Sequence, residues 1–215
     1  MSTEGINRII LSLDVIYSPS STNEQRHEAQ GFLESIKKLP ECPFWGYQLA
    51  LSDNNYNNIV RHYALNLLLA SITNHYFEWD VPKKLAVRDW IVELATKVSP
   101  QDPHYIKNKI AFLWVEVAKR CWGQCLLKKH PSLTSDIDTS TNDIINSTSI
   151  NSAANDPALA SNNVDASANG FTQFTEEEKQ ESWMLMDSNL LELWNHSQIT
   201  RELSLVIFRT LFEDI

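Results

Sequence analysis

The sequence predicts an all-α fold in which antiparallel helix pairs stack into a solenoid. Three observations predict it. Apolar residues recur at i, i+3, i+4 and i+7 through most of the 215 residues. No sustained apolar–polar alternation of strand type occurs. The stretch IVRHYALNLLLASITNHYFEW, residues 59–79, is apolar around most of its circumference. A helix needs that when it packs on its own partner and on both neighbouring pairs.

The elements follow in order. Ile6, Ile9, Ile10 and Leu13 mark a first helix. Thr22-Asn-Glu-Gln25 forms a capping box and opens a second, with Ala29, Phe32, Leu33 and Ile36 on one face. Pro43 suits the first turn of a third helix, which carries Phe44, Trp45, Tyr47, Leu49 and Leu51. The run DNNYNN breaks it, and Asp53, Asn54 or Asn55 is expected to cap the 59–79 helix. There Ile59, Val60, Tyr63, Ala64, Leu67, Leu68 and Ser71 form one contact stripe, and Leu65, Leu69, Ile72 and Tyr76 a second. Arg61, His62 and Asn66 take the strip left over.

Pro82 starts a fifth helix, with Val87, Trp90, Ile91, Leu94 and Val98 at helical spacing. SPQDPHY is a loop, with Asp102 expected as cap and Pro103 at the first helical position. Ile106, Ile110, Leu113, Trp114, Val117 and Cys121 line the sixth helix. Thr175-Glu-Glu-Glu178 is another capping box, after which Trp183, Met186, Leu190, Leu193 and Trp194 share a face. Leu203, Val206, Ile207 and Leu211 mark a last helix.

Residues 131–173 stand apart. Ser, Thr, Asn and Asp make up 24 of the 40 residues in 131–170, and no aromatic occurs there. Such a composition buries too little apolar area to offset its ordering entropy, so a disordered insertion is expected. The predicted organisation is 1–130, three helix pairs; 131–173, the insertion; and 174–215, a fourth pair. The second helices of the first three pairs centre near residues 31, 66 and 114, gaps that bracket the HEAT-type repeat of about 40–47 residues. The full expectation is a right-handed superhelical solenoid of about four HEAT-type pairs. A small globular helical bundle is the alternative.

Net charge is −9, and it is unevenly placed. Residues 1–130 carry 15 basic and 13 acidic side chains, whereas residues 131–170 carry five Asp and no Lys or Arg. Overall acidity argues against a nucleic-acid clamp, while the mildly basic front suits an acidic partner. The three cysteines, Cys42, Cys121 and Cys125, are too sparse for a disulfide framework and read as reduced thiols. Glu4 and Asp14 flank and interrupt the N-terminal apolar run, so it is not a signal peptide. No stretch reaches the ~18 uninterrupted apolar residues of a membrane span.

Cys121, Cys125 and His130 supply at most three zinc ligands at a spacing unlike that of known fingers, and Cys121 lies on the core stripe. No GxSxG, HExxH or phosphate-binding loop occurs, so no enzyme, metal or cofactor is expected. The sequons at Asn146 and Asn195 are chance matches without a secretory signal.

Three stretches carry a resemblance. HEAQGFLESIKKLPECPFWGYQLAL followed by IVRHYALNLLLASITNHYFEW resembles the N-terminal region of karyopherin-β (importin-β superfamily) nuclear transport receptors. YIKNKIAFLWVEVAKRCWG is similar to the third-repeat inner helix of their exportin-5 group, and RELSLVIFRTLFEDI to the fourth-repeat helix there. The resemblance covers residues 6–130 and 174–215. Two features depart from it. The insertion interrupts what in relatives is a short passage, and the chain stops at Ile215 within a helical pattern, which predicts an N-terminal piece of a longer receptor.

The resemblance implies a transport protein that binds the small GTPase Ran in its GTP form through inner helices of its N-terminal repeats. It implies nucleoporins as partners, shuttling between nucleus and cytoplasm, and a cargo that is protein in some relatives and structured RNA in others. Ran and cargo would bind cooperatively, through reciprocal coupling along one flexible solenoid. On this chain the resemblance offers Arg61 and Asn66, with Lys107 and Lys109, as Ran contacts. Import and export both remain open, with the RHYALNLL…W pattern leaning to export. A helical-repeat scaffold with no dependence on Ran is the competing function.

Overall fold

The computed structural model describes residues 3–122 and 175–214. The 131–173 insertion, Cys125 and His130 lie outside the described residues. The helices run α1 (Thr3–Tyr17), α2 (Asn23–Ile36), α3 (Cys42–Ala50), α4 (Asn58–His75), α5 (Val81–Thr96), α6 (His104–Cys121), α7 (Glu176–Glu181), α8 (Met186–His196) and α9 (Gln198–Asp214). Short 3-10 turns fill Ser52–Asn54 and Tyr76–Glu78. Among the described residues there is no strand.

Consecutive helices pair, α1 on α2, α3 on α4, α5 on α6 and α8 on α9. The second helices then pack side by side, α4 on α6 and α6 on α9, while the first helices α3, α5 and α8 form the other layer. The arrangement fits a helical-repeat solenoid. It also accounts for the long apolar stretch. Val60, Ala64, Leu65, Leu67, Leu68 and Ile72 of α4 are all buried because α4 touches both α3 and α6.

Local chemistry sets the helix ends. The Thr22 capping box is complete, with the Gln25 amide donating to Thr22 Oγ1 and the Thr22 amide donating to Gln25 Oε1. Asp80 caps α5 through the Lys83 amide, with Pro82 in the first turn. Thr175 and Glu178 close the second capping box. α3 sits unusually close to α4. A Cβ added at Gly46 would lie 2.9 Å from the Ala64 carbonyl oxygen and 3.0 Å from the Leu68 amide nitrogen, both backbone atoms.

Four details differ from expectation. Asn57, not residues 53–55, caps α4 through the Val60 amide. Ser52–Asn54 instead coil into the 3-10 turn, and Asn55 takes the left-handed conformation at φ 53°. Asp102 does not cap α6. Pro103 holds that position, and the Asp102 carboxylate turns inward. The helix expected from Thr175 through Trp194 is broken at 182–185, where Trp183 has φ 43°. That break turns the Trp183 ring inward against Trp114, ring centroids 5.1 Å apart. Ile59, expected on a contact stripe of α4, is exposed.

Candidate functional site

The side-by-side packing of α4, α6 and α9 leaves one polar side of each helix uncovered, and these sides together make the candidate site. On α6 the core stripe is Ile106, Ile110, Leu113 and Val117. Tyr105, Asn108 and Phe112, spaced i, i+3 and i+7, therefore fall on the opposite side. On α9, Val206, Arg209, Thr210 and Glu213 share a face by the same spacing. Between α6 and α9 runs a groove of about 520 Å³, lined by these residues together with Lys109 and with His62 of α4.

The groove has a definite electrostatic character. Arg209 and Glu213 form an i,i+4 ion pair, Nε to Oε1 2.7 Å. The Lys109 ammonium instead stands 5.9 Å from the centre of the Phe112 ring, and among the described residues no carboxylate pairs with it. The His62 ring meets Tyr105 edge to face at 5.3 Å. Partial burial, and then the Lys109 charge, hold His62 below the ordinary histidine value. Further along α6, Glu116 is tied to Lys119 at 3.1 Å and to Arg120 at 2.6 Å.

The expected site residues fall in different places. Asn66 lies one turn beyond His62 on α4 and donates from Nδ2 to the His62 carbonyl at 3.0 Å. With Lys109, it belongs to the polar side. Lys107 and Lys109 are two positions apart, about 200° around a helix. Lys107 is not among the groove residues. Arg61 is only 6% exposed. Its Nε donates to the Ala50 carbonyl at 3.1 Å, and its guanidinium forks onto the Asp102 carboxylate, one arm at 3.2 Å. Arg61 thus leaves the strip on which the sequence placed it and ties α4 to the end of α3 and to the loop before α6. Sequence reasoning passed over Tyr105, Asn108, Arg209 and Glu213. The Tyr105–Asn108–Phe112 spacing opposite the core stripe was the available signal.

Cys42 and Cys121 are buried thiols, and burial pushes Cys121 up to about 11, which suppresses the reactive thiolate. Among the described residues no group of three or more His, Cys, Asp or Glu side chains is placed to hold a metal ion. No described helix is long and apolar enough to cross a membrane.

The chain is 40% identical over all 215 residues to Protein MSN5 of Saccharomyces cerevisiae. It is 31% identical over 119 residues, 55% of the chain, to Exportin-5 of Dictyostelium discoideum. The chain belongs to the exportin-5-like karyopherins. Exportin-5 of Mus musculus is similar too, 28% identical over 147 residues, 65% of the chain. No family model matches the chain. This karyopherin chain is short beside its relatives, covering 14%, 10% and 12% of those three proteins.

Proposed function

We propose that the chain serves a nuclear export receptor by binding Ran in its GTP form on the polar side of α4, α6 and α9. In this reading it is a binding protein and not an enzyme, part of a right-handed superhelix of about four HEAT-type pairs over 1–130 and 174–215. The 131–173 segment is an insertion at the solenoid edge. The receptor carries protein cargo or structured RNA, engages nucleoporins and shuttles between nucleus and cytoplasm.

One observation carries the reading. Three consecutive second helices pack side by side with their polar sides uncovered, which gives a protein partner a continuous surface. Membership in the exportin-5-like group supports Ran as that partner. Asn66 and Lys109 are the residues best placed to touch it, and Lys107 contributes only from the flank of α6. The nucleotide supplies direction. Ran's switch regions differ between its GTP and GDP forms, so contacts made to one form alone couple loading to hydrolysis.

Titration of the chain with Ran loaded with a non-hydrolysable GTP analogue, and separately with GDP, tests this. Binding of the GTP form alone is expected. A folded chain that binds neither form would leave the Ran-independent helical scaffold as the function.

A further inference from the structure

The groove between α6 and α9 has a charge arrangement that selects what enters it. Glu213 already has its cation in Arg209, 2.7 Å away. Lys109 lines the same groove, and among the described residues its neighbour is the Phe112 ring rather than a carboxylate. Tyr105, 49% exposed, and the exposed Asn108 add a hydroxyl and an amide to the wall beside it. The groove therefore presents one uncommitted positive charge, hydrogen-bonding groups around it, and about 520 Å³ of space.

We propose that this groove receives a single acidic side chain of a protein partner, its carboxylate seated on the Lys109 ammonium beside Tyr105 and Asn108. The inference rests on reading this side as a protein-docking surface, and it names the chemistry of the contact there.

Three facts favour a protein carboxylate over nucleic acid. A nucleic-acid backbone brings a row of phosphates and is held by a row of cations. Here Lys109 is the one cation not already paired among the groove-lining residues, and Glu213 would repel a second phosphate. The chain as a whole carries −9. A lone carboxylate on a protein loop needs only one cation and brings only one negative charge past Glu213, and a charge-assisted N–H···O bond to it is stronger than a neutral one.

His62 makes the event observable. The titratable and charged groups that share the groove with it are Tyr105 and Lys109 on α6, and Arg209 and Glu213 on α9. In the free chain, burial and Lys109 both disfavour the imidazolium. A carboxylate brought to Lys109 reverses the second effect, because an opposite charge nearby favours the protonated ring. With the burial of the ring itself unchanged, docking therefore takes up a proton at His62. Affinity rises as pH falls through the docked-state value, by up to about tenfold for each unit of that rise.

The test is NMR titration of the histidine rings in the full 215-residue chain, with a capped glycine peptide holding one glutamate and with inorganic phosphate as separate probes. The single-glutamate peptide is expected to raise the His62 pKa and to leave the other described histidine rings unmoved. Lys109→Met should abolish the shift. Glu213→Gln should strengthen peptide binding several-fold. These side chains are at least partly exposed, and the ring spectrum itself reports whether each variant remains folded. The proposal is overturned if His62 does not respond, if all the rings move together, if Lys109→Met keeps the shift, or if phosphate moves His62 as far as the single-glutamate peptide does. A His62 response to the peptide with no binding of GTP-loaded Ran would remove Ran as the partner and leave this inference standing. Ran binding that ignores Lys109→Met would do the opposite.

Discussion

Arg61 and Asp102 form a buried, forked ion pair that joins the middle of the chain's second helix pair to the loop opening the third. Both side chains are more than nine-tenths buried. The Asp102 carboxylate also accepts from the Ser99 amide at 2.9 Å, and Arg61 also reaches the Ala50 carbonyl, so each group's polar atoms are largely satisfied. A buried pair of this kind adds little when intact but costs roughly 3–5 kcal/mol when one partner is removed, because the other stays buried and unpaired. Asp102→Ala is expected to lower unfolding stability by that amount in a urea titration. Arg61→Met with Asp102→Leu should recover most of it. Loss from the single variant no greater than about 0.5 kcal/mol would mean that the pair is exposed in solution.

A second contact holds the two sides of the 131–173 segment together. Trp114 of α6 and Trp183, just before α8, are both almost fully buried, with ring planes tilted by 41°. The Trp183 indole N–H donates to Asn189 Oδ1 at 2.9 Å, which helps hold the left-handed backbone at Trp183. Trp183→Ala removes a large ring from the junction of α6 with α8, and should destabilise the chain by about 3–5 kcal/mol. The near-UV circular dichroism of the coupled indoles should vanish with it. Asn189→Ala keeps the ring pair and should cost only about 1–2 kcal/mol, the loss of one half-buried hydrogen bond.

Much of this was legible in the sequence. The helices announced themselves through apolar spacing, and the boxes at Thr22 and Thr175 formed as their residues predict. The all-round apolar character of α4 reported its neighbours on both sides. What failed to show was whatever depended on a partner distant in sequence. Arg61 read as a surface residue because only the fold brings Asp102 to it. The same meeting drew Asp102 away from the cap position. The break at Trp183 was hidden because Trp183, Met186, Leu190 and Leu193 keep helical spacing across it. In the candidate site, α9 contributes Arg209 and Glu213 from beyond the insertion, so no local pattern joins them to Lys109.

Two carboxylates should govern the acid limb of stability. The Lys97 ammonium, then the Tyr47 hydroxyl, hold Glu93 below the usual range. Burial pushes Glu116 up, but Arg120 and Lys119 more than offset it and leave Glu116 lowered as well. A carboxylate with a depressed folded-state pKa contributes stability above its unfolded value, about 4.3 for Glu, and loses it as pH falls through the folded value. Melting temperature is therefore expected to decline slightly from about pH 6.5, as the unfolded chain protonates His62 first, and to fall more steeply below about pH 4. In Glu93→Gln with Glu116→Gln the melting temperature at pH 7 should be lower and the acid slope shallower. An unchanged slope in the double variant would show that other carboxylates control it.

Gly46 tests how closely the first and second layers approach. The atoms facing its missing Cβ are the Ala64 carbonyl oxygen and the Leu68 amide nitrogen, which belong to the middle of α4 and cannot swing aside as a side-chain end would. In Gly46→Ala the methyl group must push α3 away from α4. Residue 46 lies within a helix, where Ala is intrinsically favoured over Gly by about 1 kcal/mol. Overpacking of a tight core costs about 1–3 kcal/mol. The steric term is set by backbone atoms and should win, so a net loss of up to about 2 kcal/mol is expected in a urea titration. Because α4 carries His62 and Asn66 on its other side, the same variant should also weaken partner binding while leaving the histidine pH response in place. A stabilised Gly46→Ala chain would show that the two helices sit farther apart than the geometry describes.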